Sequence, residues 1–176
     1  SIYRDFNLKY ISINEEGYLL FSNFHNVKVI EENDETDIKF RGVVEYFPPE
    51  VIIGDRHSEV SDWWCFGIII YEMFFGVPPF LSSNTNELYN MILSEEIKFP
   101  KNNNISAEAK DLLQKLLIKE KHDRLGFEGG FEVIKNHYFF KGVDFANLEK
   151  KQVTSPYKPK INDEIEEDTI SVGRSQ

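Results

Sequence analysis

Ser61-Asp62-Trp63-Trp64-Cys65-Phe66-Gly67-Ile68-Ile69-Ile70-Tyr71-Glu72-Met73-Phe74-Phe75 runs into Gly76-Val77-Pro78-Pro79-Phe80. Ser61 is the natural N-cap, and Gly76 with Pro78 is a stop, so the spacing predicts a helix over 62–75. Apolar residues lie all round this helix rather than along one stripe, which makes it central and buried. The apolar run from Cys65 to Phe80 is broken by Glu72 and by Pro78-Pro79, so it reads as a core helix and not a membrane span.

Downstream the pattern stays helical. Asn86 precedes a helix with Leu88, Met91 and Ile92 on one face. Ser106 caps another, with Leu112, Leu113, Leu116 and Leu117 facing inward, and residues 131–136 read as a short helix. Residues 141–161, with Pro156 and Pro159, are irregular, and residues 162–176 have the composition of a disordered end. Upstream, Ile11 and Ile13 alternate with polar residues, Asn14-Glu15-Glu16-Gly17 is a turn, and Tyr18 to Ser22 is a second strand. Residues 26–47 lack periodicity, carry the acidic run from Glu31 to Glu35, and read as a long surface loop. One hairpin, a loop, then helices, with no internal repeat, predicts a mostly α (α+β) domain.

At 176 residues, 41% hydrophobic with 15 Phe, the chain can bury a real core. A net charge of −10 argues against nucleic acid or an anionic membrane as the main partner. The single cysteine, Cys65, excludes an internal disulfide and fits a reducing compartment, so a cytoplasmic location is expected. In the central helix it reads as a core residue. The four histidines show no zinc spacing, and no charged-then-apolar leader opens the chain.

In order along the chain stand Tyr3-Arg4-Asp5, Asn23-Phe24-His25, Pro48-Pro49-Glu50, Asp62-Trp63-Trp64 and Asp123-Arg124-Leu125-Gly126. As a set, with Gly76-Val77-Pro78-Pro79-Phe80, they resemble the C-terminal lobe of an AGC-group Ser/Thr protein kinase, most of all the cyclic-nucleotide-dependent kinases. The likeness spans roughly residues 2–161. It implies a partial kinase domain from the catalytic loop onward (1–140) and an AGC-type C-terminal tail (141–176). It implies that Asp62 binds the backbone of the Tyr3-Arg4-Asp5 loop and that Glu50 and Arg124 pair bidentately.

Kinases catalyse mainly by positioning and charge neutralisation. The resemblance makes Asp5 the retained catalytic base. Asn7 replaces the lysine that offsets γ-phosphate charge. The two magnesium-ligating positions carry Tyr10 and Asn23, neither of which supplies the anionic oxygen that Mg²⁺ prefers. His25 replaces a glycine. No glycine-rich loop, nucleotide-pairing lysine or partner glutamate helix precedes residue 1. ATP and Mg²⁺ are therefore the family's cofactors, with none expected for this chain alone.

The resemblance also bears on regulation. The residue at the phosphorylated threonine position is Lys39, and Lys28 and Arg4 would flank it. Either the acidic run from Glu31 to Asp37 folds over these cations as a built-in phosphate substitute, or the loop is simply solvated. Val43 replaces a threonine that would bond Asp5. Lys9 replaces an acidic substrate-reading residue, while Glu45 and Glu72 keep the other acidic positions. Tyr89, Val43 and Val44, with Phe47 and Glu72 nearby, match a regulatory-partner surface. The alternative is that Leu88, Met91 and Ile92 are core and Tyr89 is an ordinary surface tyrosine. Three functions stay open: an inactive pseudokinase binding a protein partner, a divergent active Ser/Thr kinase with Asp5 as base, and a non-functional truncated paralogue.

Overall fold

The structure is a computed structural model and describes residues 1–29, 42–101 and 104–160. The acidic run, Lys39 and residues 162–176 lie outside the described residues.

Two short antiparallel strands open the fold, β1 (Ile11–Ile13) and β2 (Leu19–Phe21), paired Ile11 with Phe21 and Ile13 with Leu19. Asn14 closes the turn between them. Its carbonyl accepts from Gly17 N at 2.9 Å and its side-chain oxygen accepts from Tyr18 N at 2.7 Å. The helices follow: α1 (Pro49–Ile52), α2 (Glu59–Phe75), α3 (Thr85–Ser94), α4 (Ala107–Leu116), α5 (Gly130–Lys135) and α6 (Phe145–Glu149). Among the described residues, the chain is mostly helical with one two-stranded sheet.

Helix α2 is the axis of the packing. Trp64, Cys65 and Ile68 meet Phe80, Leu88, Ile92 and Leu117 on one side. Ile70 and Tyr71 meet Leu112, Leu113, Leu116 and Ile134 on the other. A helix apolar all round thus has core on both flanks. Gly67 permits the approach of α4: a Cβ there would sit 3.0 Å from both Leu116 Cβ and Leu117 Cδ2. Gly76 ends α2 at φ +76, a left-handed conformation that glycine adopts without steric cost.

Three helix starts differ from the expected ones. Helix α2 begins a turn earlier, with extended Ser58 as N-cap. Ser61 is three residues inside, where its hydroxyl accepts from Ser58 N at 3.1 Å and donates to Glu50 Oε1 at 2.7 Å. Helix α3 is capped by Asn84 rather than Asn86, because the Asn84 carboxamide oxygen accepts from both Asn86 N and Glu87 N. Helix α6 forms where an irregular stretch was expected, with Asp144 Oδ1 accepting from Asn147 N at 3.0 Å. Ser106 caps α4 as read, accepting from Ala109 N at 3.1 Å. Among the described residues, no helix is long and apolar enough to cross a membrane.

Candidate functional site

The site is built where two loops are tied together above α2. Ile2 and Lys28 exchange backbone hydrogen bonds of 2.9 Å, which sets the Tyr3–Asn7 loop beside the Asn23–Asn26 loop. Asp62, in the first turn of α2, accepts from Tyr3 N at 2.6 Å and from Arg4 N at 3.0 Å. His57 Nε2 approaches the same carboxylate at 3.1 Å. These contacts hold Arg4 at φ +67, and Asn23 stands at φ +64 on the facing loop. Each such non-glycine conformation costs on the order of 1–2 kcal/mol, so the surrounding bonds must over-determine it. Arg4 Nε also donates to Asn26 O at 2.6 Å, and the Tyr3 hydroxyl donates to Ser22 O and Asn23 O.

Asp5 is the centre. It is buried, and amide groups from both loops donate to it: Asn7 Nδ2 to Oδ1 at 2.8 Å, and Asn23 Nδ2 and Asn26 Nδ2 to Oδ2 at 3.2 and 3.1 Å. Reversing any of these amides would set oxygen against carboxylate oxygen, so the orientation follows from charge. Asn7 is also buried, and its own oxygen accepts from Lys9 N at 3.1 Å. Gly42 closes the other side, since a Cβ there would stand 2.4 Å from Asp5 Oδ1. Asp5, Asn7 and Asn23 thus meet as one cluster. Tyr10 ends a 3-10 turn (Leu8–Tyr10) nearby, half-buried, and is not among the groups bonded to Asp5. Asn26 was missed in the sequence. Its only signal there is its place three residues after Asn23.

The set offers one carboxylate, Asp5, and neutral amides to a cation. Among the described residues, no three His, Cys, Asp or Glu side chains converge as a metal site. Asn23 turns its nitrogen to Asp5, leaving only a neutral carbonyl oxygen, whereas Mg²⁺ is held by carboxylates. Beside the cluster, Tyr3, Phe6, Phe21, Phe24 and Trp63 line an apolar hollow of about 350 Å³. Phe24 is 62% exposed at its rim.

Beneath, Glu50 and Arg124 are both buried and meet bidentately, NH1 to Oε1 and NH2 to Oε2, each at 2.8 Å. The remaining guanidinium donors go to the Ile118, Val60 and Lys119 carbonyls, so every N–H of Arg124 has an acceptor. Burial pushes the Glu50 carboxyl up, but the hydrogen bonds and charge of Arg124 outweigh it and hold the group below its ordinary range. The guanidinium also lies 5.0 Å from the Trp64 ring centroid.

The expected partner surface is only partly open. Val43 is exposed, Tyr89 and Val44 are half-buried, and Phe47 is buried. Val44 and Met91 pack against the Trp64 cluster, which takes them out of a free patch. Leu88 and Ile92 are core, as the alternative reading had it. Glu72 accepts from the Tyr46 hydroxyl. Burial, then this bond, pushes the Tyr46 phenol well above its ordinary pKa.

Compared with known proteins, residues 1–140 match the family described as protein kinase domain. The chain is 42% identical over 160 residues to Protein kinase 2 of Dictyostelium discoideum, covering 91% of this chain and 33% of that protein. It is 38% identical over 165 residues to Serine/threonine-protein kinase gad8 of Schizosaccharomyces pombe, covering 94% and 28%. It is 38% identical over 160 residues to Serine/threonine-protein kinase Sgk1 of Danio rerio, covering 91% and 36%. The chain therefore spans about a third of the length of these relatives.

Proposed function

The chain belongs to the protein kinase domain family, and from that premise we propose that it is the C-terminal lobe of an AGC-type Ser/Thr kinase domain that binds proteins instead of transferring phosphate. Two of the relatives named above are Ser/Thr kinases by name; the narrower likeness to cyclic-nucleotide-dependent kinases has no counterpart among the three names. The division into a kinase part (1–140) and a tail (141–176) belongs to the same proposal, as does a cytoplasmic location.

The observation that carries the reading is the amide cluster on Asp5. In a working kinase this carboxylate accepts the substrate hydroxyl's proton while metal ions and a lysine offset phosphate charge. Here both of its oxygens are engaged by Asn7, Asn23 and Asn26. Three of the roughly four acceptor positions of this carboxylate are thus taken, and taking a proton from a substrate would weaken charge-assisted hydrogen bonds that are each worth roughly 1.5–3 kcal/mol. The cluster ties the two loops together through amide-to-carboxylate hydrogen bonds. The frame around it, Glu50 with Arg124 and Asp62 with the Tyr3-Arg4 backbone, is what a binding module needs to stay rigid. In this reading the apolar hollow at Phe24 receives the N-terminal lobe. The partner is a regulatory or kinase-like protein contacting Tyr89, Val43 and Glu72.

A second reading, a divergent active Ser/Thr kinase, is favoured by one fact: Asp5 itself is retained and lies within an ordered loop. A thermal-shift titration of the native polypeptide, isolated from its own cells, with ATP in the presence and absence of Mg²⁺ separates the two. No Mg²⁺-dependent rise in Tm is expected. A rise that requires Mg²⁺ would overturn the proposal and favour the enzyme. A pull-down with wild type and Tyr89→Ala tests the partner surface. Equal capture by both would remove Tyr89 from it.

A further inference from the structure

The segment after α6 runs over the β-hairpin turn and carries Ser155-Pro156-Tyr157-Lys158. Residues 152–160 form neither helix nor strand. They are docked by the Tyr18 hydroxyl, which donates to Val153 O at 2.7 Å, and by close packing on Gly17. A Cβ at Gly17 would stand 2.2 Å from Tyr157 O and 2.4 Å from Ser155 Oγ, so nothing larger than hydrogen fits between tail and turn. A small open cavity of about 230 Å³ remains beside the contact, lined in part by Glu16, Tyr18, Lys151, Ser155 and Lys158.

Ser155 is half-buried, whereas Thr154, Pro156, Tyr157 and Lys158 are exposed. Its hydroxyl donates to Tyr157 O at 2.6 Å and accepts from Tyr157 N at 3.2 Å, so this one side chain shapes the turn that meets Gly17. Two features suit Ser155 to a phosphorylating enzyme. Pro156 biases Ser155 toward extended backbone and offers no N–H, so it fits a cleft that does not require a donor there. Lys158, three residues on, presents a cation to an acidic subsite. We propose that Ser155 is a phosphorylation site for a proline-directed Ser/Thr kinase, and that its phosphate releases residues 152–158 from the hairpin turn.

The step balances with Mg²⁺-ATP as co-substrate. The Ser155 Oγ–P bond forms as the β–γ phosphoanhydride breaks, ADP leaves, and the hydroxyl proton passes to the base of the modifying kinase. Three physical effects then favour release. The ester oxygen has no hydrogen to donate to Tyr157 O. The phosphoryl group cannot share the tight contact between Ser155 Oγ and Gly17, so that contact must open. The added charge of about −2 lies beside Glu16, which lines the same cavity. Of the cations lining the cavity, Lys158 lies within the released segment and moves with the phosphate, whereas Lys151 stays bonded to the end of α6 through Leu148 O.

The test treats the purified protein with a purified proline-directed kinase and Mg²⁺-ATP, followed by peptide mass mapping and amide hydrogen exchange. One phosphate is expected, on Ser155. Exchange in peptides covering 14–18 and 152–157 should then accelerate about tenfold, the scale of losing one or two hydrogen bonds. Ser155→Ala should take no phosphate and keep slow exchange. Tyr18→Phe, which loosens the tail without touching the motif, should be phosphorylated faster than wild type. No phosphate on Ser155 in either wild type or Tyr18→Phe would overturn the site. Phosphate with unchanged or slower exchange would overturn the release.

Discussion

Asn23→Asp places a carboxylate where an amide nitrogen now lies 3.2 Å from Asp5 Oδ2. Two terms add. The charge-assisted hydrogen bond from Asn23 is lost, worth roughly 1.5–3 kcal/mol. Two like charges at that separation repel by about 5 kcal/mol at an effective dielectric of 20. Asn23 is half-buried, so solvent screening and side-chain rotation reduce the second term. The net destabilisation at pH 7 should be about 2–5 kcal/mol. Asn23→Ala removes the hydrogen bond without adding charge, adds the strain of alanine at φ +64, and should cost about 1–3 kcal/mol. The pH dependence distinguishes them. In the Asn23→Asp variant the new carboxyl pair would hold one proton above the ordinary carboxyl value near ~4, because like charges resist joint ionisation. A raised carboxyl pKa leaves the folded state with more bound protons than the unfolded state above pH ~4. The gap between Asn23→Asp and wild type should therefore be small at pH 4, widen as pH rises, and level off once the raised group has ionised. Urea unfolding at several pH values in metal-free buffer measures this. If Asn23→Asp matches Asn23→Ala at every pH, Asp5 is not the charged partner of Asn23, and the amide-cluster argument fails.

Arg124→Met should cost about 3–5 kcal/mol, because it strands a buried carboxylate at Glu50; Glu50→Leu/Arg124→Met should recover much of this in urea denaturation. Among the described residues Lys119 Nζ has no hydrogen-bond partner, and it lies 3.8 Å from the Phe80 ring centroid. Burial, then Arg124, lowers its pKa to about 8. Between pH ~8 and ~10.5 the unfolded chain holds a proton there that the native chain has shed, so stability should rise with pH across that window. The gain should be about 1–2 kcal/mol after discounting for partial exposure, and Lys119→Met should abolish it in urea midpoints at pH 7.5 and 9.5. Gly67→Ala forces a methyl to 3.0 Å from Leu116 Cβ and should cost about 1–3 kcal/mol, read as a lower Tm.

Much of the fold was legible because its signals are local and repetitive. The central helix is announced by apolar residues on every face and by Gly76, and α4 by Ser106 and its leucines. Boundaries were less legible where two capping residues competed. Ser58 and Ser61 are equally good N-caps in isolation, and the choice turned on Ser61 being needed by Glu50, which is eleven residues away. Helix α6 is five residues long, too short for periodicity to reveal, and only Asp144 marked it. Tyr89, Val44 and Phe47 were read as surface from their motif positions, but how far each is covered depends on neighbours the pattern does not name.

The sequence by itself determined the family and the mostly helical architecture. These reside in residue identity and spacing, and need no coordinates. Only the tertiary structure decided what Asn7, Asn23 and Asn26 do together. Asn7, Asn23 and Asn26 come from two separate loops, and their amides reach one carboxylate because the Ile2–Lys28 bridge and Asp62 fix those loops side by side. A hydrogen bond depends on angstroms and angles, and those are set by packing between segments that a linear pattern leaves unrelated.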